Sequence, residues 1–277
     1  MTTHCICCSA SPLIPTHSHL LECPKCGHIS ADLKLTDEEL IQLYSKNYFH
    51  GEEYGDYRAD KSVLQRNFSA RLKAIHHLIG DTSDLSLFEV GCAYGFFLEV
   101  ARPYFRHVKG IDICSEVIAK ACSELGVDAY AGDFLSPEWQ ESPSDVVCMW
   151  DTIEHLRNPH DFIHQAAKIL PSGGHLFLTT GDISSFNAKI RRGKWRLIHP
   201  PTHLHYFTRD SIRELLEKNG FELLEIKAVG FYRSIGNTIA NLFRKQLNTN
   251  IINQLAKIHS YFYLNLYDIM LVSARRL

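Results

Sequence analysis

The stretch "LFEVGCAYGFFLEVA", Leu87–Ala101, predicts a buried strand, a glycine-bearing turn and a helix in immediate succession. The first apolar run reaches the acid Glu89, and the second run has helical spacing. Small residues stand at alternate positions between the two runs, namely Gly91, Ala93 and Gly95. A strand–turn–helix unit of this kind is a common place for a nucleoside cofactor, so the rest of the chain decides what this loop holds.

Apolar segments of strand and helix type alternate from residue 84 onward, with short connections between them. This alternation predicts an α/β fold in which helices cover both faces of a parallel sheet. Ligands in such sheets bind beyond the carboxyl ends of the central strands. The turn after Glu89 lies at that edge, and we expect a ligand there.

The loop departs from the dinucleotide fingerprint G-x-G-x-x-G, because the third glycine is missing. Glu89 precedes the loop, where a carboxylate would repel a pyrophosphate and attract a cationic cofactor. Asp112 follows Gly91 by 21 positions at the end of the second strand, where a carboxylate can accept ribose hydroxyls. Asp133 and Phe134 end the third strand and offer an acid and a ring to an adenine.

With these motifs in order, the chain resembles the class I S-adenosylmethionine (SAM)-dependent methyltransferases over roughly residues 84–230. The resemblance implies a doubly wound, seven-stranded, mostly parallel sheet of Rossmann-like type, with the last strand antiparallel beside the fifth. It implies SAM rather than NAD as the cofactor. The residues it assigns to cofactor binding are Glu89, Gly91, Cys92, Ala93, Gly95, Asp112, Ile113, Asp133 and Phe134.

The segment "MWDTIEHLRNP" follows the fourth strand and brings Asp151, Glu154 and His155 to the rim that faces the cofactor. It resembles the D/E-x-x-E-H stretch of ubiquinone-biosynthesis O-methyltransferases and of small-RNA 3′-terminal 2′-O-methyltransferases. These three residues are therefore the candidate catalytic residues. We expect His155 to act on the substrate side, as a general base or an orienting group.

Two other interpretations of this region remain open. In the RNA enzymes such acids and histidines hold a divalent ion, and here the set would be Asp151, Glu154, His155 and His205. Alternatively, His155 only caps a helix. His199 and His203, in the proline-containing segment "HPPTHLHYFTR", are expected to make structural hydrogen bonds.

Two C-x-x-C pairs near the N-terminus, Cys5/Cys8 and Cys23/Cys26, are separated by 14 residues. Two such turns complete a tetrahedral thiolate site with no open position, so the spacing predicts a zinc ribbon whose zinc is structural. Redox-active or unligated thiols are the alternative. Another donor could replace one ligand, the candidates being Cys7, His17, His19 and His28.

The predicted domains are a zinc ribbon over residues 1–35, a helical linker or lid over 36–82, and a SAM-binding domain over 83–277 with a helical insertion at about 231–262. Thr36 and Glu39 form a capping-box pattern, and Gly80 is a helix stop. The tyrosine-rich loop between these helices could line a pocket or pack under its own chain. The insertion could cover the core, an apolar acceptor or a membrane surface.

A basic segment, "KIRRGKWR" at residues 189–196, follows the fifth strand. Its cations could attract a phosphate, a uronate or an RNA end, or could form a solvated loop. The formal net charge of −2 over 277 residues argues against a general nucleic-acid binder. Nine cysteines and the lack of a signal-peptide pattern suggest a cytoplasmic location.

Together these patterns predict a SAM-dependent methyltransferase that methylates a hydroxyl of a small molecule or saccharide by in-line transfer. The alternatives are a metal-assisted RNA 2′-O-methyltransferase and a non-catalytic binding protein that keeps the fold.

Overall fold

The computed structural model describes residues 4–16, 19–33, 36, 39, 43, 57–58, 60–242 and 260–277. The strands are β1 (Ile14–Pro15), β2 (Leu20–Glu22), β3 (Ile29–Ala31), β4 (Ser86–Val90), β5 (His107–Asp112), β6 (Asp128–Ala131), β7 (Val146–Trp150), β8 (His175–Gly181), β9 (His205–Tyr206), β10 (Phe221–Ser234) and β11 (Tyr261–Arg276). The α-helices are α1 (Lys61–Ile79), α2 (Phe96–Ala101), α3 (Ser115–Leu125), α4 (Pro159–Ile169), α5 (Phe186–Arg191), α6 (Arg209–Lys218) and α7 (Ile235–Leu242).

Seven strands form the main sheet in the order β10-β11-β8-β7-β4-β5-β6. Neighbours from β8 to β6 are parallel, whereas β11 is antiparallel to both β8 and β10. The predicted sheet, including the antiparallel last strand beside the fifth, is confirmed. The strand order reverses between β4 and β7, which places a ligand crevice outside the carboxyl ends of these two strands.

Helices cover both faces of the sheet because successive strand residues point to opposite sides. Phe88 and Met149 face a core cluster that includes residues of α4 and α6. Leu87 and Cys148 face another cluster, built with Leu72 of α1 and residues of α2. All five residues of β7 are buried, as expected for the middle of a doubly covered sheet.

Helix α1 ends at Gly80, whose φ of +88° provides the predicted stop. Its buried face includes two polar residues, since Val63, Asn67, Arg71, Leu72 and Ile75 are all buried. The predicted capping box also forms: Thr36 N donates to Glu39 Oε2 at 2.7 Å, and Glu39 N donates to Thr36 Oγ1 at 3.2 Å. Three tyrosines of the following loop lie outside the described residues, while Tyr57 stacks on Tyr94 and Phe96.

A second, four-stranded sheet has the order β1-β2-β3-β9. Its first three strands come from the N-terminal ribbon, but β9 comes from residues 205–206 of the larger domain, where Ser30 is opposite His205. The ribbon is therefore joined to the segment that carries His203 and His205 by a shared sheet.

The C-terminal region begins as strand rather than helix. Residues 231–234, assigned from sequence to the helical insertion, extend β10 because they pair with residues 261–264 of β11. Helix α7 follows at Ile235, and residues 243–259 of the predicted insertion lie outside the described residues.

Among the described helices, none combines the length and the apolar character that crossing a bilayer requires.

Candidate functional site

Four cysteine sulfurs meet at the tip of the ribbon. Those of Cys5, Cys8, Cys23 and Cys26 all lie within 4.8 Å of one another, and all four residues are buried. The Cys5–Cys26 pair is separated by 3.6 Å and the Cys8–Cys23 pair by 3.4 Å. Zinc–sulfur bonds of about 2.3 Å in a tetrahedron need sulfurs about 3.8 Å apart, so this cluster fits a four-coordinate zinc ion.

Of the alternative ligands, Cys7 and His28 are buried near the same cluster, with His28 Nδ1 at 4.0 Å from Cys5 Sγ. His19 is exposed and is not part of the cluster, and His17 lies outside the described residues. The four sulfurs already complete a tetrahedron, so His28 is better placed to pack against the larger domain. Its ring stacks on His205 with 5.3 Å between centroids.

A second contact fixes the ribbon to α6. Thr208, which caps the N-terminus of that helix, donates from Oγ1 to the backbone oxygen of Cys26 at 2.7 Å. A Cβ added at Gly27 would meet the Thr208 methyl at 3.1 Å, so the glycine permits this approach. The ribbon thus buttresses the segment between β9 and α6.

The turn after β4 adopts left-handed backbone at its three small residues. The φ angles are +78° at Gly91, +45° at Ala93 and +70° at Gly95. A Cβ at Gly91 would lie 2.6 Å from the Thr152 hydroxyl, and one at Gly95 would lie 2.8 Å from a methyl of Val127. Both conformation and space therefore require glycine at these two positions.

Two carboxylates lie at the tips of the neighbouring strands β4 and β5. Glu89 is 2% exposed and its Oε2 has no hydrogen-bond partner among the described residues. Burial raises its pKa well above the usual range, and the nearby charge of Asp112 adds to the effect. Such an orphaned oxygen, next to a second acid, favours a ligand that is cationic or donates hydrogen bonds.

Asp112 also organises the loop. Its Oδ2 accepts from Ala93 N at 2.9 Å, and its Oδ1 accepts from Cys114 N at 3.0 Å. Burial raises the pKa of Asp112, and these backbone hydrogen bonds oppose the rise. Each oxygen keeps a second lone pair for a hydroxyl donor such as a ribose.

Of the other predicted cofactor residues, two lie at the surface and two lie in the core. Ile113, directly after Asp112, is 44% exposed and offers an apolar surface at the strand tip. Asp133 is exposed, and its loop adjoins β5 through the bond from Gly132 N to Asp112 O at 3.0 Å. Cys92 and Phe134 are buried side chains, and Phe134 packs against Phe88 in the core, a position better suited to packing than to contact with an adenine ring.

Asp151 ends β7 in a left-handed conformation, with φ +50°. Its backbone N donates to the carbonyl and the hydroxyl oxygen of Thr179, at 3.1 Å and 3.0 Å. The half-buried carboxyl has its pKa raised by burial, and the effect is opposed chiefly by Arg71 and further by Arg196 and Arg233. Sequence reasoning missed Arg71, although it lies within the apolar stripe of α1 at a spacing of four from Asn67 and Ile75, which is a detectable signal.

Glu154, His155 and His203 form a cluster beside Asp151. One carboxylate oxygen and one nitrogen from each ring lie within 4.8 Å of one another. His155 Nδ1 lies 2.8 Å from Thr202 O and His203 Nδ1 lies 2.9 Å from Leu197 O. Because a carbonyl only accepts, each Nδ1 donates, and in the neutral ring the lone pair is on Nε2.

Burial keeps this cluster largely uncharged. It raises the pKa of Glu154 to about 8, with help from the charge of Asp151. It lowers the pKa of His155 to about 4 and that of His203 to about 2; His199 disfavours protonation of both rings, and His155 disfavours protonation of His203. Glu154, Thr180 and His203 line a narrow crevice in the described structure.

The predicted four-residue ion site is not the one that the structure assembles. Asp151 is not in the cluster, and His203 takes the place expected for His205. His205 Nε2 bonds to Arg157 O at 3.2 Å and its ring packs on the ribbon's His28. The expected structural hydrogen bonds of His199 and His203 do form, since His199 Nδ1 lies 2.6 Å from Thr202 Oγ1.

The basic segment points mostly to solvent. Lys189, Arg191, Arg192 and Lys194 are exposed. Trp195 is buried and donates from Nε1 to Asp268 Oδ2 at 2.9 Å, while Arg196 Nη2 lies 3.0 Å from Asp268 Oδ1. This segment is thus anchored at one end to a buried acid of β11.

Comparison with known proteins identifies related sequences over most of the sheet. A family model described as a methyltransferase domain matches residues 63–226. The ubiquinone biosynthesis O-methyltransferase of Maricaulis maris is 26% identical over 151 residues, which cover 50% of this chain and 59% of that protein. The mitochondrial enzyme of the same name from Candida albicans is 31% identical over 154 residues, covering 50% and 46%. The chain spans about half the length of these curated relatives.

Solved structures share the fold at low identity. The magnesium protoporphyrin IX methyltransferase of Synechocystis, with bound S-adenosylhomocysteine (SAH), has a TM-score of 0.53 and 15% identity, covering 83% of this chain and 91% of that one. The geranyl diphosphate C-methyltransferase of Streptomyces coelicolor has a TM-score of 0.51 and 16% identity, covering 77% and 81%. At these identities the likeness concerns the fold alone.

Proposed function

The chain belongs to the family of class I SAM-dependent methyltransferases, and we propose that it transfers a methyl group from SAM to a hydroxyl of a small molecule or saccharide. The observation that carries the proposal is the orphaned, buried carboxylate oxygen of Glu89 beside Asp112. A low-dielectric site with two acids favours a cation, and the SAM donor is a sulfonium with an ammonium group.

The residues of this chain would hold the cofactor as follows. The backbone of Gly91, Ala93 and Gly95 would allow close approach because their side chains are absent or small, and the second lone pairs of Asp112 would accept the ribose hydroxyls. Ile113 would cover an apolar face at the strand tip, and Asp133 would receive an adenine amine. When bound, SAM supplies an electrophilic methyl group, so the protein's remaining tasks are alignment and exclusion of water.

The acceptor hydroxyl is proposed to lie against His155. The bond from its Nδ1 to Thr202 O leaves the ring lone pair on Nε2, and the lowered pKa of about 4 keeps the ring neutral near pH 7. A neutral ring can accept the hydroxyl hydrogen bond and orient an oxygen lone pair toward the methyl group. Glu154 and Asp151 flank this position, and Glu154, with its pKa near 8, can exchange a proton near neutral pH.

The proposal includes two metal sites. The four ribbon cysteines fit a structural zinc ion, and the donor set of Glu154, His155 and His203 is chemically suited to a divalent transition ion. Because Nε2 carries the only lone pair of His155, the second ion is an alternative to the direct hydroxyl contact, and it would itself lower the pKa of an acceptor hydroxyl. It replaces the set predicted from sequence, and metal analysis before and after a chelator that spares thiolate zinc tests it.

The O-methylation class is supported by the relatives, which are named as ubiquinone biosynthesis O-methyltransferases. The acidic residue, glutamate and histidine after the fourth strand, here Asp151, Glu154 and His155, carry the resemblance to that group. The proposal takes from these relatives the reaction class only.

Calorimetric titration with SAM and SAH, followed by methyl transfer from radiolabelled SAM to a panel of hydroxylated acceptors, tests the function. We expect saturable binding of both nucleosides, and His155→Ala should cut turnover while leaving SAM affinity within about twofold. The exposed His77→Ala on α1 serves as the control. Absence of SAM binding would refute the function, and unchanged turnover would remove His155 from it.

A further inference from the structure

A buried arginine on α1 has hydrogen-bonding capacity that the protein does not use. Arg71 is 5% exposed, and its Nη2 has no hydrogen-bond partner among the described residues. No carboxylate in the part of the chain that the structure describes lies within 4.0 Å of it. A guanidinium removed from water without a paired acid is costly, so its retention here calls for a ligand.

Helix α1 and the Arg71 guanidinium each have a contact with β10. One turn earlier on the same helix, Asn67 exchanges two hydrogen bonds with the backbone of Tyr232, at 3.2 Å and 2.6 Å, which ties α1 to β10. Phe231 precedes Tyr232 on β10, and Arg71 Cζ lies 5.0 Å from the centre of the Phe231 ring. A guanidinium whose position is restricted in this way loses little conformational entropy when it binds an anion.

The charged groups around Arg71 belong to the acceptor side of the sheet, by which we mean the region of Asp151, Glu154 and His155. It interacts electrostatically with Asp151 and with Tyr263, and Arg196 and Arg233 act on the same Asp151. Asp268 is already bound by Arg196, and Asp60 is a third acid that acts on Arg233. Among the described residues, neither Arg71 nor Arg233 forms an ion pair within 4.0 Å.

We propose that Arg71, assisted by Arg233, binds an anionic group of the methyl acceptor, a carboxylate or a phosphate. The inference rests on the proposed function, because it uses Asp151 and its neighbours as the acceptor side. Guanidinium forks match both anions in bidentate geometry. Arg71 is the principal group because it is buried. Arg233 is exposed, as are the cations at residues 189–194, and an exposed cation gains less from such a contact.

Binding to SAH-saturated protein tests the proposal, with 3,4-dihydroxybenzoate, 3,4-dihydroxybenzamide, phenyl phosphate and inorganic phosphate as calorimetric titrants. We expect the benzoate to bind at least about tenfold more tightly than the amide, and Arg71→Met to remove that preference. A preference for phenyl phosphate over the benzoate, with competition by inorganic phosphate, would identify phosphate as the anion.

Arg66→Met is the matched control. Arg66 lies on the same helix, and its guanidinium also stacks on an aromatic ring of β10, 5.0 Å from the centre of Tyr232, but it is exposed and does not act on Asp151. We expect this variant to keep the benzoate preference. Arg233→Gln should weaken it partially, by about two- to fivefold.

Thermal unfolding of the ligand-free variants separates recognition from a structural role. Because Arg71 has no paired acid, Arg71→Met should leave the unfolding temperature unchanged or raise it. A lowered temperature with an intact anion preference would make Arg71 structural and overturn the inference. Equal affinity for the benzoate and the amide would also overturn it while leaving the proposed function standing, whereas loss of SAH binding by the wild-type protein would remove the function itself.

Discussion

The two sides of the ligand-binding edge, where we propose that the cofactor and the acceptor bind, differ in their ionisable groups and are built differently. The cofactor side consists of Glu89, the loop at residues 91–95, and Asp112, so its ionisable groups are acids. The acceptor side brings arginines and neutral histidines to the cluster of Glu154, His155 and His203. A cationic donor and an anionic acceptor would each meet a complementary field, and separating the two fields keeps the arginines away from a sulfonium.

The two sides also differ in what stabilises them. The cofactor side lies within residues 89–133 and depends on local backbone conformation. The acceptor side draws on segments from residue 71 to residue 233 and depends on distant supports, namely the ribbon through β3–β9 and the buried Asp268. Changes at the supports should therefore affect acceptor chemistry and spare cofactor binding.

The largest effect is expected from removing a ribbon cysteine. Cys23→Ser should abolish zinc binding and unfold the ribbon, because zinc contributes about 10–16 kcal/mol to folding in small thiolate sites. Strand β9 then loses β3, and Thr208 loses the Cys26 carbonyl. Elemental analysis should find one zinc per chain in the parent and none in the variant, with turnover lost and SAM affinity changed by less than about threefold.

Cys122→Ser, an exposed cysteine on α3, is the control and should retain the metal. Parallel loss of SAM affinity and turnover in Cys23→Ser would show that the two sides are one cooperative unit.

Asp268→Asn should have the next largest effect. Asp268 is 1% exposed and accepts from Asn187, Trp195 and Arg196 at 2.6 Å, 2.9 Å and 3.0 Å. Losing the charge leaves the buried Trp195 N–H, the half-buried Asn187 and the exposed Arg196 without an anion, which costs about 1.5–3 kcal/mol. Urea unfolding measures the loss, and the exposed Asp210→Asn should change the free energy of unfolding by less than about 0.5 kcal/mol.

Gly91→Ala tests the cofactor side alone. A Cβ there meets Thr152 at 2.6 Å on a backbone with φ +78°, so the loop must shift at a cost of about 2 kcal/mol, roughly 30-fold in SAM affinity. Gly126→Ala is matched in φ, at +60°, with nothing within 4 Å of its Cβ. Gly126→Ala should lose some stability and keep full SAM affinity. If both variants lost SAM affinity equally, the loss would come from backbone strain and not from a role of the loop in binding.

The same contrast explains what the sequence could predict. The strands, the four ribbon cysteines, Glu89 and Asp112 depend on periodicity or on short spacing, and the structure brings the cysteines together and places the two acids on neighbouring strands. His203 in place of His205 could not be predicted, because both lie in one loop and the choice depends on β9 pairing with the ribbon. Phe134 has the right type and position, yet its ring turns into the core against Phe88.

The last and smallest prediction uses the opposite signs of the shifted pKa values on the two sides. His203, with a pKa lowered to about 2 from 6.5, stays neutral when folded, whereas the unfolded chain binds a proton below pH 6.5. The free energy of unfolding therefore falls as pH drops, by up to about 1.4 kcal/mol per pH unit from this residue. Glu89 has a raised pKa, so its burial costs stability as pH rises above about 4.5.

Urea unfolding of cofactor-free protein between about pH 5 and 6.5 measures both effects. Relative to the parent, His203→Gln should gain free energy of unfolding as pH falls, and Glu89→Gln should gain it as pH rises. Parallel slopes in the two variants would contradict the opposite pKa shifts of His203 and Glu89.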